Sequence, residues 1–458
     1  MGRRKEEIVI KESPYVLHSK EHALKYSIAE GSAQSVAGNL GSSFITPFAL
    51  LIGANSFHIG ILSSFSGLVS PIGELFGSRL LEKFSRKKII TLEKTLENLF
   101  WLLIMGVAYL SWRGQLAFYL PYILIILYGA VIFLTGMGRP AIFSWMGDLI
   151  SDDSKGRYFA NRNRIVGFVG LVSFFFGGLA LDYFKTNGMA IFGFSVLFGL
   201  TIIFRSISRN FIKRMFNPNF RVRRGYYFTF SSFVKRYDNF GKFAFYQAVF
   251  FFAVMISSPF FAVYMLEDLG FGYLTFTLIA MSSTIFYLIF TPLAGKFSDK
   301  YGNVKLLYVS GILFPTIPIL WIFLKDPWAL FFIPGLISGV ANAAFAIAVT
   351  NFTYEAVKPQ KRGLCVAYTS ALVGVGVFLG GLIGGFMIQY LPIHFTEPIF
   401  FVFGLSALLM IMASLFFLPQ IKDERDQEVM NGFSSDLHHP FRMISSDIVW
   451  FKNFIHGK

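Results

Sequence analysis

Gly295-Lys296-Phe297-Ser298-Asp299-Lys300-Tyr301-Gly302-Asn303-Val304 follows a long apolar run, and an echo of it, Ser78-Arg79-Leu80-Leu81-Glu82-Lys83-Phe84-Ser85-Arg86-Lys87, follows an earlier one. Each copy has a small residue, an acid four places on, a Lys next, and a small residue two further on. The interval from 78 to 295 is 217 residues. A second pair of motifs keeps the same order. Asp148 precedes Lys155-Gly156-Arg157, and Glu355 precedes Lys361-Arg362-Gly363. The intervals from 148 to 355 and from 156 to 363 are both 207 residues, and Gly177-Gly178 and Gly384-Gly385 keep that interval. Repeated order at matching places marks an internal duplication, the usual architecture of secondary transporters.

The runs between the motifs set the fold class. A spanning helix needs about 20 apolar residues at ~1.5 Å rise to cross a ~30 Å hydrocarbon core. Twelve such stretches are expected, at 28–52, 57–81, 89–111, 117–147, 162–184, 189–209, 241–266, 273–297, 304–324, 328–354, 363–391 and 397–418. The chain therefore reads as an all-α membrane protein with twelve transmembrane helices in two six-helix halves. The expected divisions are an N-terminal segment 1–27, a first half 28–209, a basic linker 210–240, a second half 241–418 and a tail 419–458. In the tail, Phe441, Ile444, Ile448, Phe451 and Ile455 recur at helical spacing, which suits an amphipathic helix lying on the membrane.

Composition agrees. The hydrophobic fraction is 54%, mean hydropathy is +0.58, and 57 residues are Phe, far from the balance of a soluble domain. The net charge of +15 would suggest nucleic acid in a soluble protein. Here the Lys and Arg residues collect on one side: the N-terminus, residues 83–88, 155–164, the linker, 296–305, 358–362 and the tail. The opposite loops hold only Arg113, Lys185 and Lys325. That asymmetry puts both termini in the cytoplasm of a multi-pass plasma-membrane protein, beside anionic lipid, with no nucleic-acid partner. A single cysteine, Cys365, excludes an internal disulfide or a Cys-rich metal site. The first 27 residues lack a long apolar core and do not read as a cleaved signal peptide.

The segment 295–304 resembles the loop signature of the major facilitator superfamily, Gly-x-Leu-x-Asp-Arg-x-Gly-Arg-Lys. The 78–87 copy is looser, with Ser78 and Glu82 at the Gly and Asp places. Pro140 to Asp148, leading to Gly156-Arg157-Tyr158-Phe159, is similar to uncharacterised prokaryotic members. The resemblance covers about residues 25–418 and implies alternating access between two halves, with helices 1, 4, 7 and 10 lining the cavity. Two features depart from the family's proton-coupled drug exporters. Ile132 stands where they carry Arg before the Gly136-x-Gly138 pair, and the Gly-Pro motif of their helix 5 is absent from Gly170 to Phe174.

Two groups of site residues follow. A conformational latch is expected from Ser78, Glu82, Arg86, Asp148 and Arg157 in the first half, and from Gly295, Asp299, Gly302, Glu355 and Arg362 in the second. Glu82 and Asp299 can cap a helix of the opposite half, where the dipole favours an anion. Arg86 can pair with Asp148. Asn303 stands at the place matching Arg86, so Glu355 is expected to find Lys300, Lys305 or Arg362. Arg139 reads as the only basic residue near the midplane, about 14 Å from the helix end at Asp148. A charge there costs at least ~2.5–3.5 kcal/mol without a partner. Glu30, Glu74 and Glu97 are its candidate partners, and Gln34 shares a face with Glu30. Such a pair is either a proton-coupling device or a fixed structural bridge. The resemblance adds Asn39, Gln247, Tyr264, Asn342 and Asn351 as cavity candidates.

No metal-binding or nucleophile motif and no phosphate loop is present, so neither cofactor nor enzyme activity is expected. The reading is a secondary transporter of a small organic solute, with proton coupling open, working as a monomer. Its rivals are a non-transporting receptor or scaffold of the same fold, and a membrane-embedded lipid-modifying enzyme.

Overall fold

The computed structural model describes residues 14–150, 155–218, 230–235, 238–357, 359–392 and 396–422. The expected tail helix lies outside them, as do the side chains of Arg157 and Arg362. The first half holds α1 (Pro14–Leu40), α2 (Ile45–Leu51), α3 (Ser56–Leu80), α4 (Arg86–Trp112), α5 (Leu120–Leu149), α6 (Lys155–Thr186) and α7 (Ala190–Arg214). After the short α8 (Phe230–Val234) come α9 (Asn239–Ser257), α10 (Phe260–Val263), α11 (Tyr273–Tyr301), α12 (Asn303–Phe323), α13 (Pro327–Ala356), α14 (Pro359–Tyr390) and α15 (Pro398–Phe417). Among the described residues, eleven helical spans are long and apolar enough to cross a membrane. The twelfth path is α1 with α2; its entry carries Lys20, Glu21, Lys25 and Glu30 and is polar for that reason.

Several expected bounds move, among them the start of α6, at Lys155 rather than 162. The first helix begins at Pro14, ahead of 28, and α7 runs to Arg214, past 209. The path of α1 breaks at Gly41, where a Cβ would come 2.7 Å from the Trp101 ring. A 3-10 turn, Ser42–Phe44, then leads into α2. The path of α9 breaks at Ser258-Pro259 before α10 and a π-helical turn, Tyr264–Asp268. The interval from 41 to 258 is again 217 residues, so the duplicated halves break their first helices at matching places.

The face at which α1 begins and α15 ends is the terminal face; the opposite one is the far face. Within each half, buried aromatic residues such as Phe48, Trp101 and Phe198, or Tyr246, Phe250 and Phe314, fill the space between helices. Outward surfaces of α4 and α15 show Leu99, Leu102, Leu103, Leu415 and Phe416, which is suited to lipid rather than water.

Candidate functional site

The two halves meet along α3 with α14 and α6 with α11, and both seams lie toward the far face. A Cβ on Gly67 would come 2.4 Å from the Gly374 carbonyl, so only glycine permits that approach. The repeated glycine pairs divide their work alike. Gly177 packs on Phe44 and Gly384 on Ile256, each in its own half. Gly178 packs on Thr277 and Gly385 on Gly60, each across the seam. At the far end Asp182 of α6 accepts a hydrogen bond from the Tyr273 N–H that opens α11, at 3.0 Å. Toward the terminal face α3 leaves the seam, and Glu74, Leu75, Phe76 and Arg79 are exposed or half-exposed. Because these contacts between the halves gather toward the far face, we read the halves as enclosing a gap that is shut there and open at the terminal face.

Arg139 meets Glu74 at 2.6 Å. Glu74 sits on α3 between its α5-facing side (Gly73, Gly77) and its α14-facing side (Gly67, Pro71). Arg139 sits on the side of α5 that turns toward α1, where Met146 meets Ser27. The pair therefore faces the gap. Its side chains are 61% and 31% exposed, so it is not the buried bridge that the depth of Arg139 suggested.

The buried charges lie elsewhere. Glu30 of α1 accepts from Lys94 of α4 at 3.1 Å and from Ser208 of α7 at 3.0 Å, with Arg162 of α6 at 3.5 Å. Lys94 also donates to Gln34 at 2.9 Å. Glu97, fully buried on α4, takes hydrogen bonds from Arg205 of α7 and Thr135 of α5. Arg205 also lies 5.8 Å from the Trp101 ring centre. Glu93 lies one turn before Glu97, is 4% exposed, and makes no hydrogen bond or ion pair among the described residues. Its carboxyl sits against Gly138, whose Cβ would come within 3.0 Å. Three acids and three bases thus share one interior. Glu30 and Glu97 are taken by Lys94 and Arg205, so Arg139 is not the only basic residue at depth. Gln34 serves this cluster rather than the gap.

At the terminal face each half is tied in its own way. Arg86, fully buried, donates to Asp148 at 2.6 Å, to the Ser144 carbonyl at 3.0 Å and to the Pro218 carbonyl at 3.0 Å. In the second half Asn303 takes the matching place. It donates to Glu355 at 2.7 Å, accepts from Ser298 at 2.5 Å, and Asn351 donates to Ser298 at 3.0 Å. Asn303, an amide at the position of Arg86, reaches Glu355 because both positions sit at the duplicated helix starts; the side chain of Arg362, one of the expected partners of Glu355, lies outside the described residues. Gly302, at φ +90°, makes the turn between α11 and α12 that a side chain would strain. Ser78 donates to the Leu75 carbonyl at 2.8 Å, and Gly295 borders open space. Glu82 is exposed and makes no side-chain hydrogen bond or ion pair among the described residues.

The second half carries an apolar chamber of about 470 Å³ between α9, α11, α12, α13 and α15. Phe251, Phe261, Phe276 and Trp321 line it, and no ionisable residue does. Its polar points are serines and Asn342, which is exposed and lies on α13. The other cavity candidates sit elsewhere. Gln247 and Tyr264 are buried in packing, at 5% and 1% exposure. Asn39 lies against Gly170 of α6 beside Ser35, where a polar stripe seats one helix on another. Asn351 belongs to the Ser298 knot.

Known proteins share part of this sequence and its fold. The Major Facilitator Superfamily is matched over residues 243–452. "Multidrug resistance protein 1" of Bacillus subtilis (strain 168) is 27% identical over 142 residues, 31% of this chain and 36% of the relative. The chain thus aligns with about a third of that relative's length. The fold is similar to a mutant of the nucleoside transporter NupG, at TM-score 0.66 and 13% identity, over 88% of this chain and all of the other. It is also similar to a bacterial homologue of the iron transporter ferroportin in an inward-facing state, at TM-score 0.63 and 14% identity, over 89% of this chain and 99% of that one.

Proposed function

We propose, from the premise that the chain is a membrane transporter of the major facilitator superfamily, that it moves a small organic solute by alternating access and couples that movement to protons. The observation that carries the reading is that the described contacts between the halves, the Asp182–Tyr273 bond and the glycine seams, gather at the far face, as expected of a gap closed there and open at the terminal face. The terminal face is read as cytoplasmic, because the Lys and Arg residues collect there.

The solute site is read at the chamber whose wall includes Asn342. About 470 Å³ lies within the usual range of ligand pockets. Aromatic walls with a few serines and one amide suit an uncharged solute with a large apolar part. A relative named for multidrug resistance supports an organic solute. Coupling is read at Glu93, a buried carboxylate with no hydrogen bond or ion pair among the described residues, in the cluster that joins α1, α4 and α7. A proton gained or lost there changes the charge balance of an interior with little water to absorb the change.

The test is transport in proteoliposomes, with ligands first selected by thermal shift on purified protein. Wild type should accumulate the solute against its gradient when a pH difference is imposed. Glu93→Gln should equilibrate the solute and no longer accumulate it. Accumulation that ignores collapse of the pH difference removes the coupling. A ligand that binds but never crosses would favour a receptor.

A further inference from the structure

A second cavity lies at the terminal face, away from the gap between the halves. It measures about 540 Å³ and is lined by His18, Ser19, His22 and Ala23 of α1, Lys87 of α4, and Arg214 with Met215 to Asn217 at the end of α7. Four of these residues can carry positive charge, and none is an acid. Glu21, Glu82 and Glu93, the acids nearest in sequence, do not line the cavity, and Asp148 is held by Arg86, the neighbour of Lys87.

The site is built rather than gathered from loose side chains. The segment after α7 is pinned at three points. Lys87 donates to the Met215 carbonyl at 3.0 Å, Trp145 to the Phe216 carbonyl at 2.9 Å, and Arg86 to the Pro218 carbonyl at 3.0 Å. His18 and His22 stand one turn apart with their rings 4.5 Å apart, edge to face. Arg214 is exposed and has no ion pair among the described residues. The Asn217 amide oxygen is buried and has no hydrogen-bond partner. Carbonyl and amino ends of such an amide are assigned from their neighbours, so the same side chain can equally present N–H groups. Side chains able to carry positive charge therefore converge from three helices on one space, with donors left over.

We propose that this cavity binds a phosphate-bearing anion, either the phosphodiester of a membrane lipid headgroup or free phosphate. Arginine forks and lysine ammonium groups match phosphate oxygens by charge and hydrogen-bond geometry. A cavity this large has room for the ester substituents beside the phosphate. Bound there, the anion ties the entry of α1 to α4 and to the end of α7, three elements that otherwise crowd positive charge together. The site stands whether or not the solute reading holds, since neither the gap nor the chamber contributes to it.

The test uses the full chain, purified in detergent, with native mass spectrometry to count bound lipid. The probes are a phosphatidylglycerol, a phosphatidylcholine as the zwitterionic control, and inorganic phosphate. Wild type should retain one more phosphatidylglycerol than the variant His18→Gln/His22→Gln/Arg214→Gln. Arg214→Gln alone should weaken retention about tenfold, the scale of one hydrogen bond to a charged group. Because Arg214 is exposed and unpaired, that variant folds even if the triple one does not. Displacement of the lipid by millimolar phosphate identifies free phosphate as a competent occupant; resistance to it identifies the headgroup. Equal retention of phosphatidylglycerol by wild type and Arg214→Gln, with no stabilisation of wild type by phosphate over the variant, overturns the proposal.

Discussion

The Asp182 carboxylate of α6 accepts the Tyr273 backbone N–H at 3.0 Å, so a side chain of one half caps the first turn of a helix in the other. An anion at a helix N-terminus satisfies a free N–H and meets the positive end of the dipole. Gly272 leaves room for it, since a Cβ there would come 2.4 Å from the carboxylate oxygen. Loss of a cap costs about 0.5–2 kcal/mol, enough to shift a balanced two-state equilibrium severalfold. Asp182→Ala and Gly272→Ala should therefore both open the far face. In a Cys365→Ser background, a cysteine at Asn342 should label severalfold faster with an impermeant thiol reagent applied from that face. Equal labelling in wild type and both variants would show that the bond does not hold the closure.

Glu97 and Arg205 form a buried pair, with side chains 0% and 3% exposed. Removing one partner of such a pair strands the other and costs about 3–5 kcal/mol, whereas replacing both with apolar residues is often close to neutral. Glu97→Gln should lower the melting temperature of purified protein strongly. Glu97→Leu with Arg205→Met should recover most of the loss, because Thr135 keeps its bond to the Val131 carbonyl and the remaining cluster stays balanced. A single variant as stable as wild type would mean that the pair is already open to water.

Sidedness is tested by labelling intact cells. Cysteines at Gln115 and Asn187, at the far face, should react with an impermeant reagent from outside. One at Lys83 should react only after the membrane is permeabilised. All three positions are exposed, so an unreactive site reports its side of the membrane rather than burial. The reverse pattern would invert the orientation drawn from the Lys and Arg distribution.

Much of the architecture was legible in the duplication, because the same interval repeats structural roles as well as letters. Gly177 and Gly384 turn into their own halves, and Gly178 and Gly385 face the opposite one. The charged interior was harder to read. With helix 6 ending at 209, Arg205 lies at the edge of the linker; the helix runs to Arg214, nine residues past Arg205, which is about 14 Å of depth. Lys94 and Glu93 lie inside the expected span 89–111, eight and seven residues past the start of α4, and their charges are the available signal. Glu30, Glu97 and Arg139 were singled out, but their pairing depends on which helices are neighbours. That is a tertiary fact: α4 packs between α5 and α7, which brings Glu97 to Arg205 and leaves Arg139 to Glu74.

The Arg139–Glu74 pair separates a structural role from a role in transport, because it faces the gap and is substantially exposed. Exposed pairs contribute only about 0–1 kcal/mol, so Arg139→Gln and Glu74→Gln should leave the melting temperature nearly unchanged. Under the proposed alternating access, a solute or proton crossing between the halves would pass these two groups, and the pair would rearrange as the terminal face closes. Initial transport rates in proteoliposomes should therefore fall about tenfold, the effect of roughly 1.4 kcal/mol on a barrier. Arg139→Lys should retain part of the rate, since an ammonium keeps the charge and loses the fork geometry. A large loss of stability in Arg139→Gln, with the transport rate per folded molecule unchanged, would assign the pair to structure alone.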